Sequence, residues 1–320
     1  MENGMLQAWS GSSATMEVAP DVACLQDKIV NLFFVGARGA GEWVLIDAGL
    51  YGSASRIRSA AEERYGKGAR PSCIVLTHGH FDHVGALKEL AEGWDVPVYA
   101  HELEMPYLTG RSDYPPFDPT VGGGAMARLA FMYPRKAIDL GSRVRKFPED
   151  GSVPGMPGWK WVHTPGHTPG HVSLFRESDR TLIVGDAFVT TKQESAIAVL
   201  SQKQEVHGPP MYATPDWGQA RESVEKLAAL RPQIAATGHG VPMRGAELES
   251  QLVTLARHFD ELAVPEHGRY VGHPVITDKN GAVAIVPPPI ADPTTKVIVG
   301  GTVAALAGVA LMLVSRSRRR

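Results

Sequence analysis

Short apolar and β-branched runs recur along this chain, at 29–35, 43–47, 74–77, 96–100, 159–163, 172–175, 181–184 and 234–237. Each is bounded by Gly, Pro or polar residues and is too short to give a helix a buried stripe, so each predicts a strand. Between them the apolar spacing lengthens to three and four. Trp217, Ala220, Val224 and Leu227 mark one helix face, with Thr214 as N-cap and Pro215 at the first helical position. Leu248, Leu252, Leu255, Phe259 and Leu262 mark a second helix, stopped by Pro265, and residues 53–65 predict a third with Gly66 just past its end. Residues 84–90 have the same spacing. Strands alternating with one-sided helices predict a mixed α/β architecture, because each helix needs a sheet to pack on.

The pattern changes in kind near the C-terminus. Residues 297–314 form an 18-residue run without a charge, bounded by Lys296 and by a tail, 315–320, that holds four arginines. As a helix this run would measure roughly 27 Å, close to the lower limit for crossing a bilayer. Pro287, Pro288, Pro289 and Pro293 make 286–296 a stiff linker that separates it from a globular domain over 1–285. The expectation is a single-pass transmembrane helix that anchors the chain to a membrane by its C-terminus; a helix docked in a groove of the domain is the alternative. Gly300, Ala304 and Gly308 form a ridge of small residues that permits close pairing in a homodimer. The arginine tail would favour a cytoplasmic C-terminus, whereas residues 1–20 carry no signal sequence. A tail-anchored protein with its globular domain on the cytoplasmic side is the preferred resolution.

Composition narrows the function. The chain has 320 residues, 43% of them hydrophobic and 21% charged, enough for one large α/β domain with a substantial core. A net charge of -2 gives no general attraction to nucleic acid, which weighs against a nuclease. Cys24 and Cys73 are too few for a disulfide framework.

The chemistry is concentrated after the run at 74–77. Thr77, His78, Gly79, His80, Phe81, Asp82 and His83 place three imidazoles and a carboxylate within six residues, which reads as a metal site on a tight loop. Gly79 would supply backbone freedom there. Two histidines two apart on extended chain can converge on one ion, while Asp82 and His83 face a second. These four cannot close two sites, and further donors follow at strand ends. They are His167 in a Pro/Gly turn, Asp186 after 181–184, and His239 after 234–237. Rigid strand ends suit a preorganised site. His163 and His171 flank His167 at spacing four and compete with it as ligand. His207 is either a pocket residue or a surface-loop histidine; His101, His258, His267 and His273 fit no pattern. The aromatic, glycine-bearing segment 111–124 suits a loop over bound substrate, with Tyr114 and Phe117 as contacts, or an ordinary solvated connection.

These motifs, in this order over roughly residues 20–265, resemble the metallo-β-lactamase superfamily. The resemblance implies a four-layered αβ/βα sandwich with two metals at one edge of the inner sheets. It implies that His78, His80 and His167 bind the first metal, that Asp82, His83 and His239 bind the second, and that Asp186 bridges them. It also selects His167 over its neighbours, leaving His171 to orient another group by hydrogen bond. Such a centre, with zinc as the expected ion and iron or manganese also compatible, would hold a bridging hydroxide that cleaves a small ester, thioester or lactone. Asp82 would have a catalytic use as well, holding the attacking hydroxide by hydrogen bond. Among relatives, acyl-homoserine lactonases often carry a tyrosine soon after the bridging aspartate, where this chain has Ala187, Phe188 and Val189. The rival from another reaction class is a persulfide dioxygenase, which would use one iron on His78, His167 and Asp186.

Overall fold

The computed structural model describes residues 14–290. The chain divides into a compact unit, Met1–Pro287, and a second unit, Pro288–Arg320, of which only 288–290 are described. The first unit holds two sheets. One runs in order β1 (Met16–Ala19), β2 (Val22–Asp27), β3 (Val30–Val35), β4 (Val44–Ile46), β5 (Cys73–Val75), β6 (Val98–Ala100) and β7 (Val144–Lys146). Pairing is antiparallel as far as β4 and parallel from there to β7. The other sheet runs in order β13 (Met243–Arg244), β12 (Ile234–Thr237), β11 (Thr181–Gly185), β10 (Val172–Arg176), β9 (Met156–His163) and β8 (Ser152–Val153). It is antiparallel except for the pair β11 and β12. A short hairpin, β14 (Ile276–Thr277) and β15 (Val283–Ile285), follows.

Strand alternation sorts the side chains into layers, because successive residues of a strand face opposite ways. In β3, Leu32 and Phe34 join a cluster with Ile57, Ala61, Leu87 and Leu90 of helices α1 (Ala54–Tyr65) and α2 (Leu87–Trp94). Phe33 and Val35 face the other way, into a cluster shared with Trp159, Val172, Leu174 and Ile183 of the second sheet. In β11, Ile183 lies in that central cluster. Leu182 and Val184 meet Val224, Leu227, Leu248 and Leu252 instead, on helices α6 (Trp217–Ala229) and α7 (Gly245–Arg257). Helix, sheet, sheet, helix is therefore the layer order, the four-layered sandwich that the family resemblance implies. Cys24 and Cys73 are both buried and free.

Four shorter helices complete the unit: α3 (Met105–Leu108), α4 (Ala125–Arg128), α5 (Ala196–Ser201) and α8 (Phe259–Leu262). Three local expectations need correction. Asp216, not Thr214, caps α6, accepting the Gln219 N–H at 2.9 Å, so Pro215 lies before the helix. The continuous helix expected to run through Leu262 breaks at His258, whose φ of -122° is not helical, into α7 and α8. Residues 84–86 are turn rather than helix, and α2 begins at Leu87.

The transmembrane expectation is also corrected. Among the described residues no helix is long and apolar enough to cross a membrane. The longest, α6 and α7, have 13 residues each. That is about 20 Å of helix against a hydrocarbon core of about 30 Å. Residues 297–314, the ridge of Gly300, Ala304 and Gly308, and the arginine tail lie outside the described residues. The membrane-anchored location is withdrawn with the helix.

Candidate metal centre

The donors gather because strands of both sheets end at one edge. His78 leaves the end of β5 and Asp186 the end of β11. His239 follows β12, and His167 sits in the turn between β9 and β10. The structure brings all seven sequence-predicted donors together. His78, His80 and His167 form one group; His78, His83 and Asp186 a second; Asp82, His83 and His239 a third, with ligand atoms within 4.8 Å in each. Asp186 lies between the first and third. Its Oδ2 is 3.5 Å from His167 Nε2 and 3.0 Å from His239 Nε2, and its Oδ1 is 3.5 Å from His83 Nε2.

Buried polar atoms normally find hydrogen-bond partners, yet His78 Nε2, His83 Nε2 and Asp186 Oδ1 make no hydrogen bond, the last two only approaching each other at 3.5 Å. All three point into the cluster, where a cation would satisfy them. The opposite nitrogens are held by protein atoms. His83 Nδ1 meets Asp47 Oδ2 at 2.8 Å, His239 Nδ1 the Ile29 carbonyl at 2.6 Å, and His167 Nδ1 the Thr214 hydroxyl at 3.3 Å. His78 Nδ1 lies 3.1 Å from the Thr77 hydroxyl. His80 is turned the other way, with Nδ1 toward His167 Nε2 at 2.9 Å. Imidazoles fixed through one nitrogen present the other to a metal in a set orientation. The donor set fits two divalent ions of the zinc, iron or manganese type, which accept imidazole and carboxylate.

Electrostatics agrees with that fit at His78, His80 and His167. Burial, reinforced by neighbouring imidazoles, drives His78 and His167 well below the usual histidine range. Burial brings His80 down to about 3. Neutral imidazole is the form that coordinates a metal. Burial would lower His83 and His239 too, but Asp186 outweighs it with help from Asp47 and Asp82 respectively, and both are raised. Burial would raise Asp186, but His239 and His83 hold it well below the usual carboxylate range.

Three supporting residues went unrecognised in the sequence. Asp47, at the end of β4 with φ of 60°, accepts the Thr77 N–H at 2.8 Å and the Thr77 hydroxyl at 2.7 Å besides holding His83. A strand ending on a carboxylate was the available signal, the same device as at Asp186. Thr214 orients His167. Glu104 is fully buried and joins both ligand loops. Its Oε2 accepts the Gly79 N–H at 3.0 Å and the Tyr114 hydroxyl, while its Oε1 accepts the Thr168 hydroxyl at 2.7 Å and the Gly170 N–H at 2.9 Å.

Tyr114 is therefore not a substrate contact. It is buried behind the loop, and its hydroxyl also accepts the Gly79 N–H at 3.1 Å. This corrects the role of Gly79, whose φ is not positive. A Cβ there would lie 2.5 Å from the Tyr114 hydroxyl, so glycine is required by space. Gly238 is a second case, since a Cβ would collide with Asp186 Oδ1. Phe117, by contrast, does line the cleft, with His80, Asp82, His167, Asp186 and His239.

The neighbouring histidines separate cleanly. His171 Nε2 accepts the Asp186 N–H at 2.8 Å, so its proton is on Nδ1, 2.8 Å from the Thr164 hydroxyl. That ring orients Asp186 and has no nitrogen left for a metal. His163 stacks on His101 at 4.2 Å and faces the Pro169 carbonyl at 2.8 Å. His207 pairs with Val189 through its backbone and is absent from the cleft lining.

The sequence profile of the metallo-β-lactamase superfamily matches residues 25–239. The chain is 49% identical over 252 residues to the probable metallo-hydrolase YflN of Bacillus subtilis (strain 168), covering 78% of this chain and 96% of that protein. It is 27% identical over 115 residues to the hydroxyacylglutathione hydrolase GloC of Haemophilus influenzae, covering 35% and 48%. Among solved structures, a β-lactamase domain protein from Burkholderia ambifaria superposes with a TM-score of 0.52 at 23% identity, over 78% of this chain and 74% of that one. This last likeness is one of fold.

Proposed function

Because the chain belongs to the metallo-β-lactamase superfamily, we propose that it is a metal-dependent hydrolase with two ions, zinc in the first instance, that cleaves a small ester, thioester or lactone. The observation that supports two ions is the second trio. Asp82, His83 and His239 are as buried as the first three donors, and nothing in a one-metal reading uses them. His78, His80 and His167 would hold one ion and the second trio the other, with Asp186 shared.

Bound there, such ions supply Lewis acidity and lower the pKa of a coordinated water to near neutrality. The protein's own part is positioning. Asp186 is fixed at its main chain by His171 and Gly238, whose N–H bonds the Gly185 carbonyl at 2.8 Å, bounds it from the other side. Asp82 lines the cleft, where its carboxylate can accept a hydrogen bond from the attacking water and hold it toward the carbonyl carbon. Phe117 and Tyr212 wall off bulk solvent.

The test is turnover by the metal-loaded protein of a panel of uncharged esters, thioesters and lactones, with a chelated sample as control. Metal-dependent hydrolysis of at least one class, and a loss of about 10²-fold or more in Asp82→Ala, is expected. Oxygen consumption on a persulfide by protein holding one iron per chain would replace this reading with the dioxygenase.

A further inference from the structure

The walls above the candidate metals are aromatic. Phe81, Phe117, Tyr133 and Tyr212 form a closed set of rings. Phe81 lies 6.3 Å from Phe117 and 5.5 Å from Tyr133, and Tyr212 lies 6.3 Å from Phe117 and 5.6 Å from Tyr133. Phe117 also meets the His80 ring edge-on at 5.2 Å, so the set sits against the first group of donors. Phe81, Phe117 and Tyr212 line the cleft with Pro210 and Ala213, and Tyr133 packs against them. The room inside the cleft is about 10 Å³, close to that of one water, so the chemistry of its lining rather than its volume bears on the substrate.

Charge sharpens this. The lining residues include two carboxylates, Asp82 and Asp186, both part of the metal cluster, and no lysine or arginine. The two phenols add no charge. Burial and then the Asp82 carboxylate push Tyr133 up to about 12 and Tyr212 well above the usual tyrosine value, and Tyr133 donates to the Met126 carbonyl at 3.0 Å. A carboxylate brought against these walls by the acyl or the leaving group would lose its water against ring faces and find no lysine or arginine among the described lining residues. An uncharged acyl chain would gain from the same surface.

Resting on the hydrolase reading, we propose that this aromatic lining makes the site selective for uncharged acyl compounds. Esters, lactones and thioesters of neutral alcohols or thiols would be substrates, and acyl compounds carrying carboxylates, such as glutathione thioesters, would be excluded. The reaction is plain hydrolysis. Water adds to the carbonyl carbon, the bond to the alkoxy oxygen or thiolate sulfur breaks, and the products are a carboxylic acid and an alcohol or thiol.

The test uses two thioesters with one acyl group, S-butanoyl-N-acetylcysteamine, which is neutral, and S-butanoylglutathione, which carries two carboxylates. The metal-loaded full chain should favour the neutral compound by about 10²-fold in kcat/KM, the scale of an unpaired charge in an apolar site. Phe81→Arg, at a half-buried rim position, should narrow that ratio about tenfold, with metal analysis of the variant checking that the adjoining His80 and Asp82 still bind. Equal turnover of the two, or preference for the glutathione thioester, would overturn the selectivity while leaving the hydrolase intact. Hydrolysis of neither thioester, and of no ester or lactone, by protein with full metal content would overturn the hydrolase reading and the selectivity together.

Discussion

Glu104 ties the two ligand loops to one carboxylate. Its four hydrogen bonds go to Gly79 and Tyr114 on one side and to Thr168 and Gly170 on the other. Burial raises its pKa, and these donors oppose the rise. Glu104→Gln puts an amide nitrogen against groups that donate, so at least one donor is left unpaired. A loss of about 1–3 kcal/mol in stability is expected, with metal content lowered in parallel. Thermal unfolding with and without chelator, alongside metal analysis, checks this; a metal content equal to wild type would show that the clamp does not position the ligands. The seven candidate donors were legible because their motifs are local and sit in the loops and turns that strands end on. Glu104, Asp47 and Thr214 were not, because each acts on a loop far away in sequence: the Glu104 bond to Gly170 spans 66 residues and the Thr214 contact with His167 spans 47.

Helices α6 and α7 show which part of an element a sequence specifies. The apolar stripe that predicts them is the stripe that packs, with Val224, Leu227, Leu248 and Leu252 all buried against the second sheet. Leu252→Ala should therefore cost about 2–5 kcal/mol, read from chemical denaturation. Caps were less legible, since Thr214 and Asp216 are both good cap residues and only the fold decides between them. Thr214 is held instead by its own bond to the Pro210 carbonyl at 2.8 Å, facing His167. Asp216→Ala should cost about 1 kcal/mol with metal content unchanged. Thr214→Val should reverse that pattern, weakening metal binding with little effect on α6. Strand β2 escaped recognition because it ends on Asp27, a carboxylate buried by its ion pair with Arg56 at 3.1 Å and by the Leu50 N–H at 2.9 Å. A buried charge with partners looks polar in sequence and behaves as core.

At the scale of the molecule, two sheets packed face to face bring strand ends from both halves to one edge, and the candidate centre forms only there. Neither half has the donors for two ions. The loop after β5 contributes His78, His80, Asp82 and His83, and the second sheet contributes His167, Asp186 and His239. Mixed α/β architecture was legible from alternating strands and one-sided helices, whereas the layer order came from the family resemblance. Length and lack of charge alone suggested a membrane span at 297–314, which lies outside the described residues; the described helices are short and amphipathic, as layers of a sandwich require. The central claim is that one centre holds two ions with Asp186 between them. Metal analysis of the full chain by plasma mass spectrometry, with protein sulfur as internal standard, tests it most directly when run on wild type and on Asp186→Ala. The account predicts two ions per chain in the wild type and a deficit at both sites in the variant; one ion per chain in the wild type, or two retained by Asp186→Ala, would contradict it.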